Sequence, residues 1–386
     1  MLFRSNESII KQVSKKDILL HYPYESMEPF LLLLKEAAFD HNVISIKITI
    51  YRLASKAKLV DYICAAAENG KDITVLIELR ARFDEQNNIY WSERLEDAGC
   101  KVIYGFDGYK VHSKICLITC KDKNDVKYIT QIGTGNYNEK TASMYTDLSL
   151  ITANKNIGED ATEFFKNMAI GNLEGKYSSL LVAPVCLKST IISLIDDEIA
   201  KKDNGRIVLK VNSITDADII SKLSEASCAG VKIQLIVRGI CCILPDVKGK
   251  TENITVTSIV GRFLEHSRIY CFGKNNDEKI YISSADFMTR NTERRVEIAC
   301  PIFDENIMIK IRNILDVQIY DNIKARVLCA DGNYSKKKVF ENKIDSQKYF
   351  MEEALNKWSK EKDSIHCINK IMNQFKYILL KKIKKR

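Results

Sequence analysis

No apolar run in the 386-residue sequence approaches the roughly 18 residues that a membrane span needs. The opening MLFRSNESIIKQ has neither an apolar h-region nor a small-residue cleavage site, which predicts no signal peptide and a cytoplasmic location. CxxC pairs are also missing, so the twelve cysteines give no spacing support for a zinc site. Six stand singly in apolar stretches (Cys64, Cys100, Cys116, Cys228, Cys271 and Cys300), as buried free thiols in a reducing compartment do. Nor is there a broad excess of charge. The net +9 is confined to residues 333–386, with 15 Lys/Arg against 6 Asp/Glu, while residues 1–332 carry 44 of each. A polyanion held by the body must therefore meet a few converging basic groups rather than a positive face. Histidine is scarce too, at five residues.

What is present is an alternation of strand and helix patterns. Val43 to Tyr51 alternates apolar and polar residues as a half-buried strand does. Leu59 to Asn69 then reads as a helix ended by Gly70, and Ile73 to Leu79 as a buried strand. A short helix over Glu93 to Ala98 and a strand over Lys101 to Tyr104 follow. The order returns about 160 residues later, with strand Ile207 to Val211, helix Ile219 to Ala229 ended by Gly230, and strand Ile233 to Val237. This predicts an α/β protein built from two similar domains, each a mixed sheet flanked by helices. The expected boundaries are a lead at 1–16, domains at 17–175 and 176–332, and a basic helical tail at 333–386. In the tail, Ile365, Ile368, Met372, Phe375 and Leu379 recur at helical spacing before the run Lys381, Lys382, Lys384, Lys385, Arg386. That pattern predicts an amphipathic helix packed on the body with a solvated basic end, and leaves peripheral contact with an anionic membrane open.

The repeat extends to chemistry-bearing residues. His112-Ser-Lys114 precedes Gly133-Thr-Gly-Asn136, with Asp147 eleven residues beyond Asn136. His266-Ser-Arg268 precedes Ser283-Ser-Ala-Asp286, with Glu297 eleven residues beyond Asp286. Imidazole is a competent nucleophile near neutral pH, and phosphoryl transfer otherwise needs positioning and cancellation of charge on phosphate oxygens. Guanidinium groups suit the second task. Arg52, Arg80, Arg82 and Arg238 each follow an expected strand, where an α/β sheet presents its ligands. His21, His41 and His366 lack such a setting and read as structural or exposed. On the residues alone, one site shared by two domains fits a phosphodiesterase and a phosphotransferase equally well.

The wording of the segments goes further. HYPYES (21–26), IKITIYRLA (46–54), ELRARFDEQNN (78–88), VHSK (111–114), IGTGNYNEKTASMYTDLSL (132–150), LIVRGICC (235–242), IVGRFLEHSRIY (259–270) and SSADFMTRN (283–291) closely resemble polyphosphate kinases of the phosphohistidine type. The resemblance implies two phospholipase D-like catalytic domains, although Thr119 stands where that superfamily's HxKxxxxD signature has its aspartate. It implies reversible transfer of the ATP terminal phosphoryl group to inorganic polyphosphate, with Mg²⁺ required. His112 matches the phosphorylated histidine and His266 the second essential one, which also contacts nucleotide. Tyr145 and Arg238 match nucleotide-contacting positions. Arg52 and Arg82 match positions associated with the magnesium site, although a guanidinium cannot ligate a cation and suits the phosphates that magnesium bridges. Two amino-terminal domains of the family have no counterpart here; they supply part of the adenine contact and part of the oligomer interface, so ATP/ADP affinity and a homo-oligomeric state stay open. No specific nucleic-acid partner is implied. A phospholipase D-like phosphodiesterase, or a non-catalytic polyanion-binding remnant, are the alternatives.

Overall fold

The computed structural model describes residues 7–54, 57–79, 81, 85–123, 125–339 and 342–359. The first half supplies β1 (Ile18–Tyr22), β2 (Val43–Ile50), β3 (Asp72–Ile77), β4 (Lys101–Tyr104), β5 (Lys110–Val111), β6 (Ile115–Asp122), β7 (Asp125–Gly133) and β8 (Tyr145–Thr152). The second supplies β9 (Leu181–Ala183), β10 (Arg206–Val211), β11 (Lys232–Val237), β12 (Ile254–Ile259), β13 (Leu264–Glu265) and β14 (Arg268–Phe272). It continues with β15 (Lys279–Ser283), β16 (Arg295–Pro301), β17 (Ala325–Leu328) and β18 (Tyr334–Lys336). One sheet runs β1-β8-β7-β6-β2-β3-β4 and the other β9-β16-β15-β14-β10-β11-β12-β17-β18. Laid side by side, the two orders coincide: a parallel trio (β2-β3-β4 or β10-β11-β12) extended by antiparallel strands. Duplication and mixed sheets are thus both present.

The parallel connections explain the apolar sequences of β3, β10 and β11, whereas β4 at the sheet edge stays partly exposed. Sheets connected by crossover helices are covered on both faces, so their strands lose the polar alternation of a half-exposed sheet. The helix Lys58–Glu68 links β2 to β3, and Ala217–Cys228 links β10 to β11. Gly70 (φ +77°) and Gly230 (φ +96°) follow these helices in the left-handed conformation that a side chain resists. The helix expected at Glu93 to Ala98 begins earlier, at Glu85, because Trp91 and Leu95 turn an apolar edge inward from an otherwise polar stretch.

Between the sheets lies one shared apolar layer. Leu117, Ile132 and Leu150 from the first sheet meet Val208, Ile269 and Ile282 from the second, together with Phe164, Phe165, Ile311 and Ile314. The last four come from the helices Lys155–Ala169 and Glu305–Tyr320. Asn154 and Asp304 cap these helices through their side chains. The chain passes between halves at 171–180, where buried Asp160 accepts from the amides of Ser178 (3.0 Å), Ser179 (2.6 Å) and Leu180 (2.8 Å).

Two details depart from expectation: the stretch expected as a helical tail opens with a strand, β18, and one cysteine expected in the core is exposed. Cys228 lies exposed at the end of its helix, since it falls on the face turned from the sheet. Cys64, Cys100, Cys116, Cys271 and Cys300 are buried free thiols. From the tail, a helix over residues 346–359 packs against the body through buried Ser346, Gln347 and Phe350; residues 360–386, with the predicted amphipathic pattern and basic run, lie outside the described residues. No helix among the described residues is long and apolar enough to cross a membrane.

Candidate active site between the two domains

Each half lends a two-residue strand to the other. β5, just before His112, pairs in parallel with β16 (Lys110 with Arg295, Val111 with Val296). β13, just before His266, pairs in parallel with β8 (Leu264 with Tyr145, Glu265 with Thr146). Each histidine is therefore carried into the opposite domain, beside the strand that bears that domain's carboxylate. His112 Nδ1 lies 2.9 Å from Glu297, and His266 Nδ1 lies 2.8 Å from Asp147. The carboxylates are held in turn by hydroxyls at matching positions, Ser284 on Glu297 and Thr134 on Asp147. Asp147 fits so closely under the Gly133–Asn136 turn that a Cβ on Gly135 would stand 2.1 Å from its Oδ2.

Burial sets the electrostatics. His112 is pushed well below its ordinary pKa by burial, reinforced by the positive charges of Lys114, Arg295 and Arg268. Burial raises Glu297 to about 7, in spite of Lys114 and Arg295 nearby. His266 is also lowered by burial, partly offset by Asp147. Both imidazoles are thus neutral at neutral pH. An Nδ1–H directed at Glu297 leaves His112 Nε2 with its lone pair for a phosphorus atom, the arrangement a nucleophilic imidazole needs, whereas His266 Nε2 lies 3.2 Å from Arg268 Nη1.

Arg268 ties the two halves together. It donates to Asp286 (3.0 and 3.2 Å), to the Thr134 carbonyl of the other domain (3.2 Å) and to the His266 carbonyl (2.8 Å). Its charge and that of Asp286 act on both imidazoles, which therefore share one electrostatic environment. Burial pushes Asp286 up, yet Arg268 and the Asn212 amide bring it to about 2, a permanent anion.

The residues singled out in the sequence divide into two groups. Tyr145 and Arg238 gather at His266: the Tyr145 ring is 5.3 Å from the imidazole, and Arg238 Nε donates to Asn212 (3.1 Å) and to the Glu265 carbonyl (2.6 Å). Arg52 lies on the His112 side, its guanidinium 5.4 Å from the Tyr51 ring centre, whose edge meets His112 at 4.8 Å. Both arginines follow the carboxyl ends of parallel strands, β2 and β11. Arg80 and Arg82 lie outside the described residues. His21 is buried among Tyr24 and Phe350, and His41 is exposed; His366 lies outside the described residues. Sequence reasoning missed Tyr51, and although it marked both carboxylates it could not show that each serves the histidine of the other domain. Thr119 sits within β6, away from the carboxylate positions. Arg52 is no ligand for a divalent cation, because its guanidinium only donates; among the described residues no three His, Cys, Asp or Glu converge to hold one.

Comparison with known proteins agrees with this geometry. Residues 8–173 match the model of polyphosphate kinase C-terminal domain 1, and residues 180–347 that of C-terminal domain 2. Polyphosphate kinase of Staphylococcus saprophyticus is 48% identical over 354 residues, which is 91% of this chain and 49% of that protein. That of Bacillus anthracis is 46% identical over 331 residues, 85% of this chain and 47% of the relative. The chain spans about half the length of these curated relatives. The crystal structure of polyphosphate kinase from Porphyromonas gingivalis superposes with a TM-score of 0.84 at 37% identity, covering 92% of this chain and 55% of that one. Phosphatidylserine synthase of Haemophilus influenzae shares the fold at TM-score 0.57 and 12% identity, over 92% of this chain and 97% of its own. With two similar α/β domains that match family models over most of its length, the chain belongs to the polyphosphate kinase family.

Proposed function

We propose that the chain carries out reversible phosphoryl transfer between ATP and inorganic polyphosphate through a phosphohistidine at His112. The observation that supports this most is the crossed pairing of two neutral imidazoles with buried carboxylates of opposite domains. In the first step His112 Nε2 attacks the terminal phosphorus of ATP; a P–N bond forms, the bridging P–O bond breaks, and ADP leaves with the electron pair. In the second, a terminal oxygen of polyphosphate attacks the same phosphorus and the P–N bond breaks. The Nδ1–H bond to Glu297 stabilises the positive charge that develops on the ring.

His266, Tyr145 and Arg238 would hold the nucleotide, with His266 assisting proton movement at the leaving oxygen. Arg268, Arg52 and Arg82 would neutralise phosphate oxygens. Mg²⁺, which the family implies, would supply further neutralisation of the phosphate charge that these arginines hold.

One assay tests the reaction: protein incubated with polyphosphate, ADP and Mg²⁺ should yield ATP. Hydrolysis of a phosphodiester without any nucleotide would replace this reading, and polyphosphate binding without ATP formation would reduce the chain to a polyanion-binding protein. His112→Ala should abolish acid-labile labelling by γ-labelled ATP; labelling that survived would remove His112 as the nucleophile.

A further inference from the structure

The two histidines are delivered by strands of only two residues, and the strand before His266 is gripped by a side chain of the carboxy-terminal helix. The register of β13 is set by Leu264 N donating to the Met144 carbonyl (3.0 Å) and by the amides of His266 and Ser267 donating to the Thr146 carbonyl (3.2 and 2.8 Å). So short a ladder holds its register weakly by itself. Immediately upstream, the side-chain amide of Gln347 grips the backbone of Phe263 as a neighbouring strand would. Phe263 N donates to Gln347 Oε1 at 2.9 Å, and Gln347 Nε2 donates to the Phe263 carbonyl at 2.9 Å. The same nitrogen donates to Glu265 Oε1 at 2.8 Å. A Cβ on Gly261 would stand 2.5 Å from Gln347 Oε1, so glycine is what lets the chain come this near.

Gln347 is itself fixed. It is buried in the first turn of the helix over 346–359, where Asp321 accepts from the Ser346 amide (2.8 Å) and hydroxyl (2.7 Å). One turn on, buried Phe350 packs on Tyr24, whose ring meets Phe263 edge-on at 5.6 Å. Glu265 completes the clamp: its other oxygen accepts from Lys210 (2.8 Å), Thr146 (2.9 Å) and Gln318 (2.9 Å). The pseudo-equivalent residue before His112 is Val111, whose amide donates to Glu78 in its own domain.

We propose that Gln347 is a positioning residue for His266, so that the first turn of the carboxy-terminal helix is a working part of the active site. By fixing the Phe263 backbone and Glu265 together, it sets the register of β13 and hence the bond from His266 to Asp147. The catalytic consequence rests on the function proposed above; the positioning itself does not.

The test uses the full 386-residue chain labelled with ¹⁵N-histidine. Gln347→Met keeps the side-chain length and removes all three hydrogen bonds. The titration midpoint of His266 should move while that of His112 stays, and ATP formation from polyphosphate and ADP should fall by about tenfold or more. A folded variant whose His266 signals and midpoint match the unaltered chain overturns the proposal. If Gln347→Met does not fold, Gly261→Ala interrogates the same contact from the opposite side and is read by the same criterion. A shift at His266 in a chain that makes no ATP even when unaltered would sustain the positioning role and remove the proposed reaction.

Discussion

His112 and Glu297 meet at 2.9 Å although 185 residues separate them in the chain. Neither belongs to the other's domain, and the contact exists only because β5 adds to the edge of the second sheet at β16. The pair joins an imidazole pushed down by burial to a carboxylic acid pushed up by it, which makes its pH behaviour readable.

Below about pH 7 Glu297 is protonated, and above it the ionised carboxylate accepts from Nδ1–H and raises the nucleophilicity of Nε2. His112 is neutral on both sides of that midpoint. The rate of His112 labelling by γ-labelled ATP should therefore rise with pH through about 7. Glu297→Gln should abolish this limb and slow labelling by roughly a hundredfold or more, since an amide can fix the wrong tautomer. A limb that persists in the variant would assign the ionisation elsewhere.

Gly135→Ala should damage the second pair without disturbing the fold. The new methyl would stand 2.1 Å from Asp147 Oδ2, so the carboxylate that orients His266 has to move. ATP formation from polyphosphate should fall by about tenfold or more while the far-ultraviolet dichroism stays the same. Unchanged turnover would show that the carboxylate position is not critical.

Asp160 is a structural counterpart to these functional acids. Its carboxylate accepts from three consecutive backbone amides of the segment that joins the halves. Asp160→Ala would leave those donors without their acceptor, at a cost of about 2–3 kcal/mol. Denaturant unfolding should show a lower midpoint at an unchanged slope; equal midpoints would show that other groups satisfy the amides.

Thiol chemistry separates the surface from the core. Cys228 and Cys242 are exposed, whereas Cys100, Cys116, Cys271 and Cys300 are buried, and burial pushes these four thiols up. Brief alkylation of the native chain, mapped by mass spectrometry, should modify Cys228 and Cys242 and spare the other four until unfolding. Modification of Cys271 or Cys300 under native conditions would contradict the packing of the central layer.

Much of this was open to reading along the chain because it depends on local patterns. Apolar runs between Gly70 and Gly230 turns announce crossover units, and two His-x-cation motifs at matching offsets announce duplication. Cys228 was misread because an apolar neighbourhood in sequence does not say which face of a helix a residue occupies. Tyr51 was missed because one tyrosine after a strand has no local signature of contact with an imidazole 61 residues later.

The amino-acid sequence by itself determined the repeated α/β units, the histidines, the carboxylates that follow them and the arginines at strand ends, because period, turn chemistry and motif spacing are properties of neighbours in the chain. Only the tertiary structure decided that His112 is served by Glu297 and His266 by Asp147, and that Gln347 braces β13. Those pairings arise where each sheet accepts a strand from the opposite half, and edge-to-edge hydrogen bonding between segments over a hundred residues apart leaves no trace in local order.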